Sequence, residues 1–261
     1  MRIFRETLEG GARLDCILHE QGESLRPALI ICPGGGYACI SPREAEPPAA
    51  SFWGMGFQVF VLQYRTGEEA ADKRALEDLA RAVLFVREHG EQLKVNTVHV
   101  AVLGFSAGGH LAACLGVHCD DPDLAARTGA RKEQLRPDAL ALCYPVITAG
   151  EYTNEPTITA VDAKGPGRDY WSVERHVTSG MPPVFLWHTM DDELVPAENS
   201  LIMAWALHRA GVSCECHLYE TGPHGLSVCT EEVGSPAPDV KNWVTLCGRW
   251  FARHFGGLSE M

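Results

Sequence analysis

Apolar and polar positions follow two regimes along this chain. Near its start, "ARLDCILHE" (residues 12–20) alternates with a period of two, which predicts short strands up to about Glu20. Farther on, continuous apolar runs replace the alternation. "RPALIICPGGGY" (26–37), "FQVFVLQYR" (57–65), "NTVHVAVLGF" (96–105), "RPDALALCYPVI" (136–147) and "PPVFLWHTMDD" (182–192) each read as a strand buried on both faces. "VSCECHLYETGPHG" (212–225) reads as a last strand and a loop. Between them lie helical patterns. The clearest is "ADKRALEDLARAVLFVREHGEQL" (71–93), where Leu76, Leu79, Ala80, Val83, Leu84 and Val86 form an apolar stripe opposite a charged face. "REAEPPAASFWGMG" predicts a helix started or interrupted at Pro47–Pro48, and "GGHLAACLGVHC" a helix of small residues. "PAENSLIMAWALHRAG" ends at Gly211, and "DVKNWVTLCGRWFARHF" closes the chain as an amphipathic helix.

Strands that alternate with helices predict an α/β fold, a mostly parallel, doubly wound sheet with helices on both faces. Such sheets place ligands at the carboxyl ends of their strands. One stretch breaks the rhythm. Residues 148–181, "TAGEYTNEPTITAVDAKGPGRDYWSVERHVTSGM", are polar, rich in turns and weakly periodic. They predict a cap-like insertion between two strands of a single domain.

Composition narrows the partners. The net charge of −12, with no basic run, argues against nucleic acid and anionic membranes. The ten cysteines are scattered, without a CxxC pair, and read as small buried hydrophobes of a reduced protein. The first residues lack the apolar core of a signal peptide, and no run approaches the length of a membrane helix. A cytoplasmic protein is expected.

The candidate chemistry centres on Gly104-Phe105-Ser106-Ala107-Gly108, which matches G-x-S-x-G between a buried strand and a small-residue helix. A phosphate loop is excluded, since no lysine follows these glycines and the spacing does not give G-x-G-x-x-G. A serine hydroxyl needs a base, and the base an orienting carboxylate. In this arrangement the chain order is serine, acid, histidine. His224 has a flexible turn on both sides in the loop after the last strand, so it is the expected base. His188 and His217 lie within strands, His208 and His254 within helices, and His176 within the insertion. Asp191 and Asp192 both stand at a strand end, and the residues alone do not separate them. The backbone N–H of Ala107 is one expected oxyanion donor. Pro33-Gly34-Gly35-Gly36-Tyr37, after an earlier strand, is the source of others.

In combination, "CPGGGY", "REAEPPA", "LQYR", "LGFSAGGHLAA", "CYPVIT", "ERHVT", "FLWHTMDDELVPAENSL" and "GPHGLSV" resemble the α/β-hydrolase superfamily. More narrowly, they are similar to bacterial acetylxylan-esterase-like and feruloyl-esterase-like proteins related to hormone-sensitive lipase. The likeness spans about Arg26 to Val228. It implies Ser106 as nucleophile and His224 as base. It implies Asp192 as acid, because the family acid precedes x-x-Val-Pro, here Glu193-Leu194-Val195-Pro196. Gly35, Gly36 and Ala107 become the implied oxyanion donors. Cys32-Pro33 stands where lipase relatives carry a His-Gly-type lead-in, which leaves the donor pair open to the Tyr37 N–H. For Arg43 and Glu44, an ion pair that orients the glycine loop is one expectation.

The resemblance implies hydrolysis of short acyl esters, acetyl groups on xylose-type sugars foremost, with no cofactor or metal. Its substrate is a small ester or an acetylated oligosaccharide. Tyr37, and Tyr152 and Trp171 of the insertion, are candidate substrate contacts. Two other readings stay open: a serine peptidase of the prolyl-oligopeptidase kind, and a hydrolase fold that only binds. The first usually carries a large extra domain, and the second commonly lacks a triad member.

Overall fold

The computed structural model describes residues 1–255. Eight strands form one sheet: β1 (Arg2–Thr7), β2 (Arg13–Leu18), β3 (Arg26–Cys32), β4 (Gln58–Gln63), β5 (Val95–Phe105), β6 (Ala139–Cys143), β7 (Val184–Thr189) and β8 (Cys214–Tyr219). Their spatial order is β1-β2-β4-β3-β5-β6-β7-β8. The β1–β2 and β2–β4 pairs are antiparallel, and every later pair is parallel. This is the α/β-hydrolase fold expected above.

The continuous apolar runs are explained by burial on both faces. Along β5, Val100 and Val102 enter one core cluster while Ala101, Leu103 and Phe105 enter the other. The same alternation holds in β3 and β6. Helices supply the outer layers. On one face lie α1 (Glu46–Gly54) and, at the end of the described chain, the helix Trp243–Phe255. On the other lie α2 (Arg74–Glu88), the short α3 (Gly90–Leu93), α4 (Ala107–His118), α5 (Pro122–Thr128) and α6 (Lys132–Leu135). The 71–93 helix pattern therefore splits. Lys73, at φ 58°, starts α2 late, and His89 interrupts it. Asp78 also departs from a plain charged face. It is fully buried, and it accepts from the Arg65 side chain and backbone N–H at 2.8–3.0 Å.

Between β6 and β7, residues 148–181 carry α7 (Glu155–Asp162) and α8 (Arg168–Trp171). This segment is built in. Ile158, Val161 and Trp171 join the core. Tyr170 stacks on His118 at 3.8 Å between ring centroids, and its hydroxyl donates to Asp121 at 2.6 Å. After β7 comes α9 (Glu198–Arg209), and the last helix is α10. Among the described residues, no helix is long and apolar enough to cross a membrane, and all ten cysteines are free thiols, seven of them buried.

The tightest crossing lies where β5 turns into α4. A Cβ on Gly108 would fall 2.0 Å from the Cys32 carbonyl oxygen, and one on Gly104 2.2 Å from that of Gly108. Both are backbone neighbours that a rotamer change cannot move. Gly108→Ala is expected to cost about 3 kcal/mol, lowering Tm by roughly 6–12 °C. Thermal unfolding followed by circular dichroism checks this, and an unchanged Tm would contradict the crossing.

Candidate active site

Ser106 sits at the apex between β5 and α4 with φ 53° and ψ −118°. A non-glycine residue in this region is strained, and the surroundings must hold it. They do so from three sides: the Ser106 N–H donates to the Cys143 carbonyl at 2.9 Å, and the Ser106 carbonyl accepts from His110 and Val146. The strain lifts the side chain above the carboxyl ends of the central strands.

There the Ser106 hydroxyl meets His224. Oγ lies 2.8 Å from Nε2, and His224 Nδ1 lies 2.6 Å from Asp192 Oδ2. A carboxylate can only accept, so Nδ1 carries the proton and Nε2 is left to accept from the serine. Asp192 is buried, and its four neighbours all donate to it. Oδ1 takes the N–H groups of Leu194 and Val195 at 2.9 Å each, and Oδ2 takes His188 Nε2 at 3.2 Å besides His224. Burial alone would raise its pKa, but the hydrogen bonds from His188 and His224 hold it well below the usual carboxylate range. His188, fully buried, is braced in turn by Ser200 at 2.7 Å. The structure also separates the two acids: Asp191 is exposed and accepts from the Gly222 N–H at 2.6 Å, away from His224.

The glycine loop closes the opposite side. Gly35 and Gly36 line, with Ser106 and His224, a pocket of about 580 Å³. Among the described residues, the N–H groups of Gly35, Gly36 and Ala107 have no hydrogen-bond partner. The loop is not held by an Arg43–Glu44 ion pair. Glu44 is buried and accepts from the Gly34 N–H at 2.9 Å and from the Tyr144 hydroxyl at 2.7 Å. Tyr144 also accepts from the Ser227 N–H at 2.9 Å and sets its ring edge-on to His224. Burial, and then the neighbouring Glu44, push the Tyr144 pKa up, so it stays a phenol able to donate. Nothing in the pattern singled out Tyr144. Its place just after the carboxyl end of β6, the counterpart of Ser106 after β5, was the signal available.

The aromatic contacts named from the sequence do not reach this pocket. Tyr37 follows the glycines at φ 58°, which turns its ring into the core, where its hydroxyl pairs with His110 Nδ1 at 3.0 Å. Trp171 is buried, with its indole N–H on Asp162 at 3.1 Å. Tyr152 is half-buried and outside the lining, its carbonyl held by Asn199. From the same insertion Asn154, Pro156 and Thr157 face the pocket instead.

A carboxyl whose folded pKa is depressed adds stability that is complete above its unfolded pKa of about 4 and is lost as pH falls through the folded value. The stability gap between wild type and Asp192→Asn is therefore expected to be flat above about pH 5 and to shrink on acidification. Urea unfolding at stepped pH measures it. A gap that grows toward acid would contradict the charged, donor-saturated Asp192.

The comparisons with known proteins agree with this architecture. The family model BD-FAE matches residues 14–150, just over half of the chain. Endo-1,4-beta-xylanase B of Butyrivibrio fibrisolvens is 35% identical over 218 residues, 79% of this chain and 33% of that protein. The acetylxylan esterase of Xylanibacter ruminicola is 28% identical over 252 residues, 90% of this chain and 48% of its own length. The chain thus spans a third to about half of these two relatives. Among solved structures, an acetyl ester-xyloside bifunctional hydrolase from Caldicellulosiruptor lactoaceticus superposes with a TM-score of 0.83 at 35% identity, covering 93% of this chain and 88% of that one. On the family match and this likeness, the chain belongs to the BD-FAE family and is an α/β-hydrolase.

Proposed function

We propose that this protein is a serine carboxylesterase acting on short acyl esters, acetyl groups on xylose-type oligosaccharides foremost. The observation that carries the proposal is the Ser106–His224–Asp192 hydrogen-bond chain beside a glycine loop in one pocket. His224 Nε2 takes the Ser106 proton as Oγ attacks the ester carbonyl carbon. The negative charge that develops on the carbonyl oxygen meets the N–H groups of Ala107 and of Gly35 or Gly36. These are fixed donors that need no reorganisation. His224 then gives its proton to the departing alcohol oxygen, leaving the acyl group on Ser106. Water, deprotonated by His224, attacks that acyl carbon, and the acid leaves as the serine hydroxyl is restored. Asp192 keeps the imidazole in the tautomer each step requires.

The pocket supports a small substrate. Its volume lies within the usual range for small-molecule sites, and Ile40, Pro156, Leu194 and Val195 give it apolar walls. In this reading residues 148–181 act as a cap, through Asn154, Pro156 and Thr157. The relatives named for acetylxylan and for acetyl ester-xyloside hydrolysis favour carbohydrate acetates. A cytoplasmic setting fits short oligosaccharides.

Ser106→Ala is expected to lower kcat on 4-nitrophenyl acetate by at least about 10⁴-fold while the protein stays folded. Unchanged turnover would refute the site. Asp192→Asn should lose about 10³–10⁴-fold and Asp191→Asn less than about tenfold. Steady-state kinetics on the two variants decides, and the reverse order would move the acid to Asp191.

A further inference from the structure

Arg43 is the one Lys or Arg among the described residues that line the pocket. Its backbone is anchored: its carbonyl accepts from Ser227 Oγ at 2.5 Å, and the next residue, Glu44, is buried. Its side chain is exposed. The guanidinium packs directly on the backbone after His224, since a Cβ built on Gly225 would lie 2.3 Å from Arg43 Nη2. Its one side-chain hydrogen bond among the described residues runs from Nη1 to Ser235 Oγ at 3.4 Å, the outer limit of such a bond. No carboxylate of the described residues lies within ion-pair distance of its guanidinium; Arg13, Arg26 and Arg74 share that state, but only Arg43 among them lines the pocket. The adjacent Glu44 carboxylate is occupied by Gly34 and Tyr144. A guanidinium fork matches a carboxylate with two parallel hydrogen bonds, and a chain of net charge −12 offers no broad positive field to do the same work.

The side of the pocket matters. In the mechanism above, His224 hands its proton to the alcohol oxygen, so the alcohol part of the ester lies toward His224 and Gly225, against which Arg43 packs. The oxyanion faces Gly35, Gly36 and Ala107. We propose that Arg43 selects esters whose alcohol part carries a carboxylate, such as an acidic sugar beside the acetylated one. The inference rests on the serine-esterase reading.

The test uses two acetate esters that differ in one charge, 4-acetoxybenzoate and its methyl ester. The readout is the ratio of their kcat/KM values, which removes losses common to both. Arg43→Gln is expected to lower the anionic-to-neutral ratio about tenfold, mainly through KM, and Arg43→Lys to retain part of it. Salt supplies a second measurement that needs no variant. If only the net negative charge acted, added salt would raise kcat/KM for the anionic ester by screening repulsion. Recognition by Arg43 predicts a fall instead. A ratio unchanged in Arg43→Gln, or a wild-type kcat/KM for the anion that rises with salt, overturns the proposal and leaves the esterase reading intact. If wild type hydrolyses neither ester, the esterase reading fails and the proposal falls with it.

Discussion

The site depends on one backbone crossing, where the first turn of α4 passes over the end of β3. Gly108 stands where any side chain would strike the Cys32 carbonyl, and Gly104 where one would strike Gly108. Between these two glycines Ser106 holds its strained conformation at the top of the sheet. The loop that leaves β3 also packs against this turn, since a Cβ on Gly34 would lie 3.0 Å from the Ser106 Cβ. Ser106 and the loop thus meet at one packing contact.

A second layer of buried polar groups fixes what the crossing places. Glu44 joins the Gly34 N–H to Tyr144, and Tyr144 joins that pair to the loop that carries His224 through the Ser227 N–H. Asp192 is fixed by two N–H groups of its own turn and by His188, which Ser200 braces. Each bond is ordinary, but each buried acceptor would be costly to leave unpaired. The constellation is therefore held in place by hydrogen bonds of the fold itself.

The sheet was legible in the sequence because both faces of its central strands are buried, which leaves unbroken apolar runs at β3, β5 and β6. Ser106, His224 and the glycine loop were legible because turns at strand ends carry glycine and proline. The choice of Asp192 over Asp191 was not a matter of periodicity. It depends on which carboxylate the turn to Val195 folds inward. The side-chain directions at Tyr37 and Trp171 were equally hidden, because a positive φ at one and helix packing at the other bury rings that look available in the sequence. Residues 148–181 looked irregular because their contacts are long-range: Tyr170 reaches His118 and Asp121, and the Trp171 carbonyl meets His110 Nε2 at 3.0 Å.

The central claim is that Ser106 carries the acyl group. Mixing enzyme with excess 4-nitrophenyl acetate, quenching within milliseconds and mapping peptides by mass spectrometry tests it directly. The account predicts a transient single acetyl group on the peptide containing Ser106, lost as turnover proceeds. Acetyl on Cys39, the exposed thiol in the same pocket, or turnover with no acetylated peptide, would contradict it.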